Sequence, residues 1–287
     1  MADGLPPPRL VIQHPALAAS AVAVFAAQVG APAARQGPAF ATWEGASAPA
    51  GLGAAELEAL AQEQRVDAAL VPAQARLGDY RLLAFDMDST LITIECIDEI
   101  ADFAGCKAEV AAITEAAMRG EIQDYDESLR RRVALLAGLD ATVLGRVFDE
   151  RLRLSPGARE LIQAAQRAGL RTLLVSGGFT YFTDRLKAEL GLDHVHANTF
   201  EIADGKLTGR LTGAIVNAPA KARALRDTCS VIGCEPAQTI AIGDGANDLE
   251  MMSLAGVSIA YHAKPVVRSR TTWAINYCGL DAVLNLL

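Results

Sequence analysis

Four short apolar runs, at residues 82–85, 172–175, 239–242 and 257–260, are separated by stretches long enough to hold crossover helices. Continuous apolar runs of this length suit strands buried on both faces, and helical spacers let such strands run parallel. The expected fold class is therefore α/β, built on a doubly wound parallel sheet. The first three runs end in polar or glycine-rich turns: Asp86-Met87-Asp88-Ser89-Thr90, then Ser176-Gly177-Gly178, then Gly243-Asp244-Gly245-Ala246-Asn247-Asp248. In open α/β sheets, ligands sit beyond the carboxyl ends of the strands. The pattern thus predicts that reactive groups distant in sequence are collected at one sheet edge.

Two insertions interrupt the alternation. Residues 97 to about 153 read as mostly helical and are expected to form a cap over that edge. Residues 200–215 place Asp204-Gly205 between two β-like flanks, a hairpin signal. The first 78 residues differ, being rich in Ala, Pro and Gly and poor in Lys. They read as strand at 10–13, helix at 15–29 with Pro at its start, loop at 37–53 containing a strand at 40–43, helix at 56–64 and strand at 66–71. The expected organisation is a small α+β module over 1–78 followed by one larger domain over 79–287. The segment at 16–27 resembles a signal-peptide core, but Asp3, three prolines and a single cation, Arg9, precede it; an Ala-rich helix is the preferred reading. His14, beside Pro15, is read as structural or solvated.

With 51% hydrophobic residues in 287, the chain has ample material for a core, and disorder as its main state is excluded. A formal net charge of -8 excludes a global cationic footprint for nucleic acid or anionic membrane. No apolar run reaches the ~20 residues that span a bilayer. The five cysteines are odd in number and form no C-x-x-C pair. A reducing, cytoplasmic location is expected, with a small-molecule substrate as partner and a homodimer left open.

Asp86 and Asp88, two residues apart at a strand end, repel one another unless a cation or proton lies between them. A hard divalent ion such as Mg²⁺ meets that need. Asp244 could supply a further ligand, and Asp248 could ligate or orient a bound water. Each aspartate alone reads as a turn or N-cap residue; four at converging strand ends do not. A carboxylate can also attack phosphorus, while a second donates a proton to the leaving oxygen and then activates water. Donors for a phosphoryl group are at hand in Ser176 and the N–H groups of Gly177 and Gly178. Lys221, two residues after Pro219 at an expected helix start, could add its ammonium, although a solvated lysine is the ordinary reading.

The blocks F-D-x-D-S-T-L at 85–91, V-S-G-G-F at 175–179, Lys221, and G-D-G-A-N-D at 243–248 resemble those of the haloacid-dehalogenase-like phosphohydrolases, and most closely the phosphoserine phosphatase branch. The resemblance runs from about residue 80 to Ala263-Lys264-Pro265 and does not cover the first 78 residues. Relatives in bacteria often carry an extra N-terminal module, and this segment could be a degenerate ACT-like version with no visible ligand motif. The resemblance implies a Rossmann-like core with a helical cap after its first strand. It implies Asp86 as nucleophile, Asp88 as general acid/base, and Mg²⁺ held by the Asp86 side chain, the Asp88 carbonyl and Asp244. Asp248 would be a supporting acid. Ser176, Gly177 and Lys221 would hold phosphate, with Gly178 in support, and Asn247 would contact substrate. Met87 stands where the family motif usually has Phe, and its side chain is expected to point away from the metal.

The implied reaction is hydrolysis of O-phospho-L-serine to L-serine and phosphate, the last step of L-serine biosynthesis. The substrate's ammonium and carboxylate require an acid and a base in the cap. Glu95 matches the family glutamate that binds the amino group; by itself it is an ordinary helix-start residue. In Ser128-Leu129-Arg130-Arg131-Arg132-Val133, helical geometry turns Arg131 away from the 129/133/136 stripe and leaves Arg132 on the side of Tyr125. Arg132 is therefore the arginine expected to grip the carboxylate, with Tyr125 shutting out water, Arg130 as a helper, and Met118 as pocket wall or core. Two other readings stay open: a related enzyme acting on another small phosphomonoester such as phosphothreonine, or transferring the phosphoryl group to an alcohol; and a phosphoacceptor signalling module, for which the second aspartate and the cap would be superfluous.

Overall fold

The structure, a computed structural model, describes residues 7–45, 53–119 and 121–287. Its centre is a seven-stranded sheet. The chain first builds β1 (Arg9–Gln13), β2 (Arg35–Gln36), β3 (Phe40–Trp43) and β4 (Asp67–Val71), and then β5 (Leu82–Phe85), β6 (Arg171–Phe179), β7 (His194–Ala203), β8 (Lys206–Thr212), β9 (Thr239–Gly243), β10 (Val257–Tyr261) and β11 (Trp273–Ile275). The large sheet has the order β11-β10-β9-β5-β6-β7-β8. All its pairings are parallel except β7 with β8. The chain leaves β5 toward β6 on one side and leaves β9 toward β10 on the other, so the sheet's switch point lies between β5 and β9. All four residues of β5 are buried, as a strand covered on both faces requires.

The hairpin is where the sequence puts it. Asp204 (φ 49°) and Gly205 (φ 74°) are both left-handed, the condition of a tight two-residue turn between right-twisted strands. The hairpin also supports the cap: Gly138 donates to the Leu207 carbonyl at 2.8 Å and Ala141 to that of Gly205 at 2.8 Å. The stretch between β5 and β6 contains helices Cys96–Ala104, Lys107–Met118, Tyr125–Ala134 and Thr142–Arg146. Helix Tyr125–Ala134 is the one that matters for the site. Asp124 caps it by accepting from the Asp126 N–H at 3.0 Å, acids occupy its first turn, and Arg131 and Arg132 its last. Its Leu129 and Val133, with Leu136 beyond, are buried in the main core cluster.

Residues 7–71 form a four-stranded antiparallel sheet of order β2-β3-β1-β4, with helices Ala19–Val29 and Ala54–Gln64 following β1 and β3. This βαββαβ connectivity is ferredoxin-like. Its first helix starts at Ala19, four residues later than the sequence suggests. The Ala16 N–H is taken instead by the His14 ring at 3.0 Å, in a turn that precedes the helix. Phe25, in the signal-like segment, is fully buried beside Trp43 in the module's own core. Residues 1–6 and the 46–52 portion of the expected loop lie outside the described residues.

The module is bonded to the large sheet. Asp67, buried on β4, accepts from the N–H groups of Asn276 (2.6 Å), Tyr277 (3.2 Å) and Cys278 (3.0 Å) just after β11. Trp273 Nε1 donates to the Leu70 carbonyl at 3.1 Å.

Candidate active site

The carboxyl ends of β5 and β9 bring two of the three turns together. The β5–β9 ladder continues one residue past β5, where the Asp86 N–H donates to the Ile242 carbonyl at 2.9 Å. Asp86 thus leaves the sheet beside the turn that holds Asp244 and Asp248. Oxygens of Asp86, Asp244 and Asp248 all lie within 4.8 Å of one another. Lys221 Nζ donates to Asp86 Oδ1 at 2.6 Å and to Asp248 Oδ1 at 2.7 Å. The lysine is 1% exposed, the reverse of the solvated residue that a lone lysine in sequence suggests. Its helix, Ala218–Ile232, is capped by Asn217, whose Oδ1 accepts from the Ala220 N–H, and has Pro219 in its first turn.

Three carboxylates crowd round one ammonium here, and the imbalance shows in the acidities of Asp86 and Asp244. Burial, then the charge of Asp248, pushes the Asp86 carboxyl well above the usual range, with Lys221 opposing. Burial and Asp248 push Asp244 up to about 6. For Lys221, burial alone would lower the pKa, but Asp248 and Asp86 outweigh it and raise it, so it stays cationic. A cluster of hard oxygen donors with surplus negative charge fits a hard divalent cation. Asp248, expected either to ligate or to support, has a carboxylate oxygen within the cluster and also accepts from Lys221. Thr90, which the sequence does not single out, orients Asp244 by donating to its Oδ1 at 2.8 Å.

Asp88 lies two residues beyond Asp86, and its Oδ1 accepts from the Cys96 N–H at 3.3 Å. Burial and the neighbouring charge of Glu95 push it up to about 7, so near neutral pH it is poised to give or take a proton. The next residue, Ser89, is left-handed (φ 56°), a strained conformation for a side-chain-bearing residue. It points its hydroxyl at Glu95 Oε1, 2.6 Å away. Met87 is fully buried in the core cluster, with its Cε and Asp88 Oδ2 both close against Gly178.

The third turn differs from expectation. Ser176-Gly177-Gly178 does not follow a strand but lies within β6, at an irregularity between Val175 and Phe179 where the register to β7 shifts. The glycines permit it. A Cβ on Gly178 would lie 2.7 Å from Met87 Cε and 2.8 Å from Asp88 Oδ2, and one on Gly177 would collide with the Tyr125 hydroxyl. The Gly178 N–H donates to Ser176 Oγ at 2.8 Å.

These groups face one cavity of about 710 Å³ between sheet edge and cap. Its lining includes Asp86, Asp88, Glu95, Tyr125, Arg132, Ser176, Gly177, Gly178, Asp244 and Asn247; of the other expected site residues, Asp248 and Lys221 lie beneath Asp86. Glu95 remains solvent-accessible, yet the surrounding protein pushes its carboxyl up, with the Ser89 hydroxyl opposing. Arg131 turns outward to Glu127 at 2.7 Å. Arg130, expected as a helper, instead lines a separate open cavity with Arg223, 3.8 Å from Asp126; two residues of helix rotation, about 200°, carry it off the Arg132 face. The Met118 side chain lies outside the described residues. Two further lining residues, Asp98 and His262, carried no signal of their own. His262 is left-handed (φ 48°), and its Nε2 lies 2.9 Å from the Cys278 carbonyl.

Residues 83–253 match the family described as HAD, haloacid dehalogenase-like hydrolase. A phosphoserine phosphatase of a Polaromonas strain is 59% identical over 216 residues, 74% of this chain and 92% of that protein. The chain belongs to the haloacid dehalogenase-like hydrolase family. Among solved structures, the probable phosphoserine phosphatase of Vibrio cholerae superposes on 98% of this chain and 86% of its own with a TM-score of 0.82 and 36% identity. A substrate-bound phosphoserine phosphatase covers 72% of this chain and 98% of its own, with a TM-score of 0.68 and 37% identity. Hydrolases of this family generally use a metal, and the Asp86, Asp244, Asp248 group could hold one. Among the described residues, no helix is long and apolar enough to cross a membrane.

Proposed function

We propose that the chain hydrolyses O-phospho-L-serine to L-serine and phosphate, the last step of L-serine biosynthesis, through a phosphoryl group carried on Asp86. The observation that carries this reading is the position of Asp86. It lies at the sheet's switch point, bonded to a buried ammonium and open to a cavity that Glu95 and Arg132 also line.

An Asp86 carboxylate oxygen attacks phosphorus and the ester P–O bond breaks. Asp88, protonated as its raised pKa favours, gives its proton to the departing serine oxygen. As a carboxylate, Asp88 then takes a proton from water; the water oxygen attacks phosphorus, and the bond to Asp86 breaks with release of phosphate. Ser176, the Gly177 N–H and Lys221 hold the phosphoryl oxygens, with the Gly178 N–H supporting Ser176 through its Oγ. Mg²⁺, held by Asp86, Asp244 and the Asp88 carbonyl with Asp248 beside them, would neutralise charge on the group being transferred. Arg132 takes the substrate carboxylate, Glu95 its ammonium, Asn247 contacts the substrate, and Tyr125 closes the cavity over them.

The five cysteines, all free, fit a cytoplasmic location. The ferredoxin-like connectivity supports an ACT-like origin for the N-terminal module. Phosphate release from O-phospho-L-serine, measured with Mg²⁺ and with EDTA, tests the reading. Release that requires the metal is expected, and inert phosphoserine beside a rapidly cleaved sugar phosphate would contradict it.

A further inference from the structure

The proposed phosphate ligands come from separate parts of the chain, and one buried side chain outside the reaction touches two of those parts. Asn198, on β7, is 2% exposed. Its Nδ2 donates to the Gly177 carbonyl at 2.7 Å, and its Oδ1 accepts from the Val216 N–H at 2.8 Å. Reversing the amide would set donor against donor and acceptor against acceptor, so the two contacts fix its orientation. Val216 leads directly into Asn217, the cap of the helix that carries Lys221. Asn217 also donates from Nδ2 to Asp126 Oδ1 at 3.0 Å, on the cap helix.

The Gly177 contact matters because of peptide geometry. Across a planar trans peptide, the carbonyl and the following N–H point in opposite directions. With the Gly177 oxygen held on the Asn198 side, the Gly178 N–H must point the other way, where it meets Ser176 Oγ at 2.8 Å. Glycine on both sides leaves this peptide little resistance to rotation, and the irregularity in β6 removes the regular ladder that would otherwise fix it.

The geometry points to Asn198 as a positioning residue: it sets the plane of the 177–178 peptide, and hence the aim of the Gly178 N–H, and ties that peptide to the chain leading into the Lys221 helix. This rests on the phosphate-binding role given above to residues 176–178. Asn198 touches no reacting atom.

Asn198→Asp keeps the size and the acceptor for Val216 but sets a carboxylate oxygen against the Gly177 carbonyl. The expected result is selective. Binding of inorganic phosphate to the Mg²⁺-loaded protein, measured by calorimetry, weakens about 10- to 100-fold, as loss of one aligned donor to an anion implies when Ser176 Oγ loses the Gly178 N–H that orients it. The inhibition constant of L-serine, which engages the cap side, stays within about twofold. Unchanged phosphate affinity overturns the inference. So does equal weakening of phosphate and L-serine, which would mean general loosening. If Asn198→Asp does not fold, Asn198→Ser removes the amide without adding charge and is read the same way. If wild-type protein binds phosphate but leaves O-phospho-L-serine intact, the substrate reading fails, and the phosphate comparison alone decides the role of Asn198.

Discussion

Lys221 Nζ lies 2.6 Å from Asp86 Oδ1, although 135 positions separate the two residues in the chain. The same nitrogen reaches Asp248 at 2.7 Å, and the ammonium is buried. Removing one partner of such a contact leaves the others as uncompensated buried charges. Lys221→Met should therefore lower the unfolding free energy of the metal-free protein by about 3–5 kcal/mol. Saturating Mg²⁺ should recover part of the loss by supplying positive charge to the same carboxylates. Urea unfolding with and without Mg²⁺ measures both; a variant as stable as wild type in EDTA would contradict the account.

The acids also predict how metal binding responds to pH. A protonated carboxyl does not ligate, so a cation must expel the proton. With Asp244 pushed up to about 6 and Asp86 raised as well, Mg²⁺ affinity should fall about tenfold per pH unit, for each proton expelled, as pH drops below 6. The stability of the metal-free protein should run the other way. Both folded-state values lie above the unfolded value near 3.9, so the contribution is fully present below that value and is lost as pH rises through about 6. Calorimetric titration and urea unfolding from about pH 5 to 8 check the two trends; parallel trends would contradict the assignment.

Arg132 faces the cavity while Arg131 and Arg130 turn away. Arg132→Ala should lower kcat/KM for O-phospho-L-serine about 10- to 100-fold, as loss of a charge-assisted contact implies. Phosphoethanolamine, which has no carboxylate, should change far less. Equal losses on both substrates would assign Arg132 some other task.

Asp67 accepts three backbone N–H groups across the junction between the N-terminal module and the segment after β11. Asp67→Ala leaves those donors without their partner and should cost about 3 kcal/mol. Amide exchange at residues 276–278 should rise with it. Wild-type exchange there would mean that the module is held by other contacts.

Legibility in the sequence followed the range of the interactions. The strand-end acids were readable because each turn is contiguous with its apolar run, and the sheet's topology then does the assembling. Arg132 was readable because helix rotation is a local property. Thr90, whose partner Asp244 is 154 positions away, carried no local signature. Asn198 is likewise defined only by what folds against it. The strand ends at 175 in the sequence reading because two glycines look like the end of a strand, yet it continues to Phe179. A neighbouring strand that shifts register carries β6 through them to Phe179. The first helix starts at Ala19, after a turn at 15–16 in which the His14 ring accepts the Ala16 N–H, a side-chain contact that residue spacing does not show.

The most direct test is to quench the enzyme in acid during turnover of O-phospho-L-serine and locate the phosphoryl group by mass spectrometry. The prediction is one phosphoryl group on the peptide that contains Asp86. It should be absent from Asp86→Asn, whose turnover should fall by at least about three orders of magnitude with its fold intact. Rapid turnover by Asp86→Asn, or a phosphoryl group found on any other residue, would contradict the central claim.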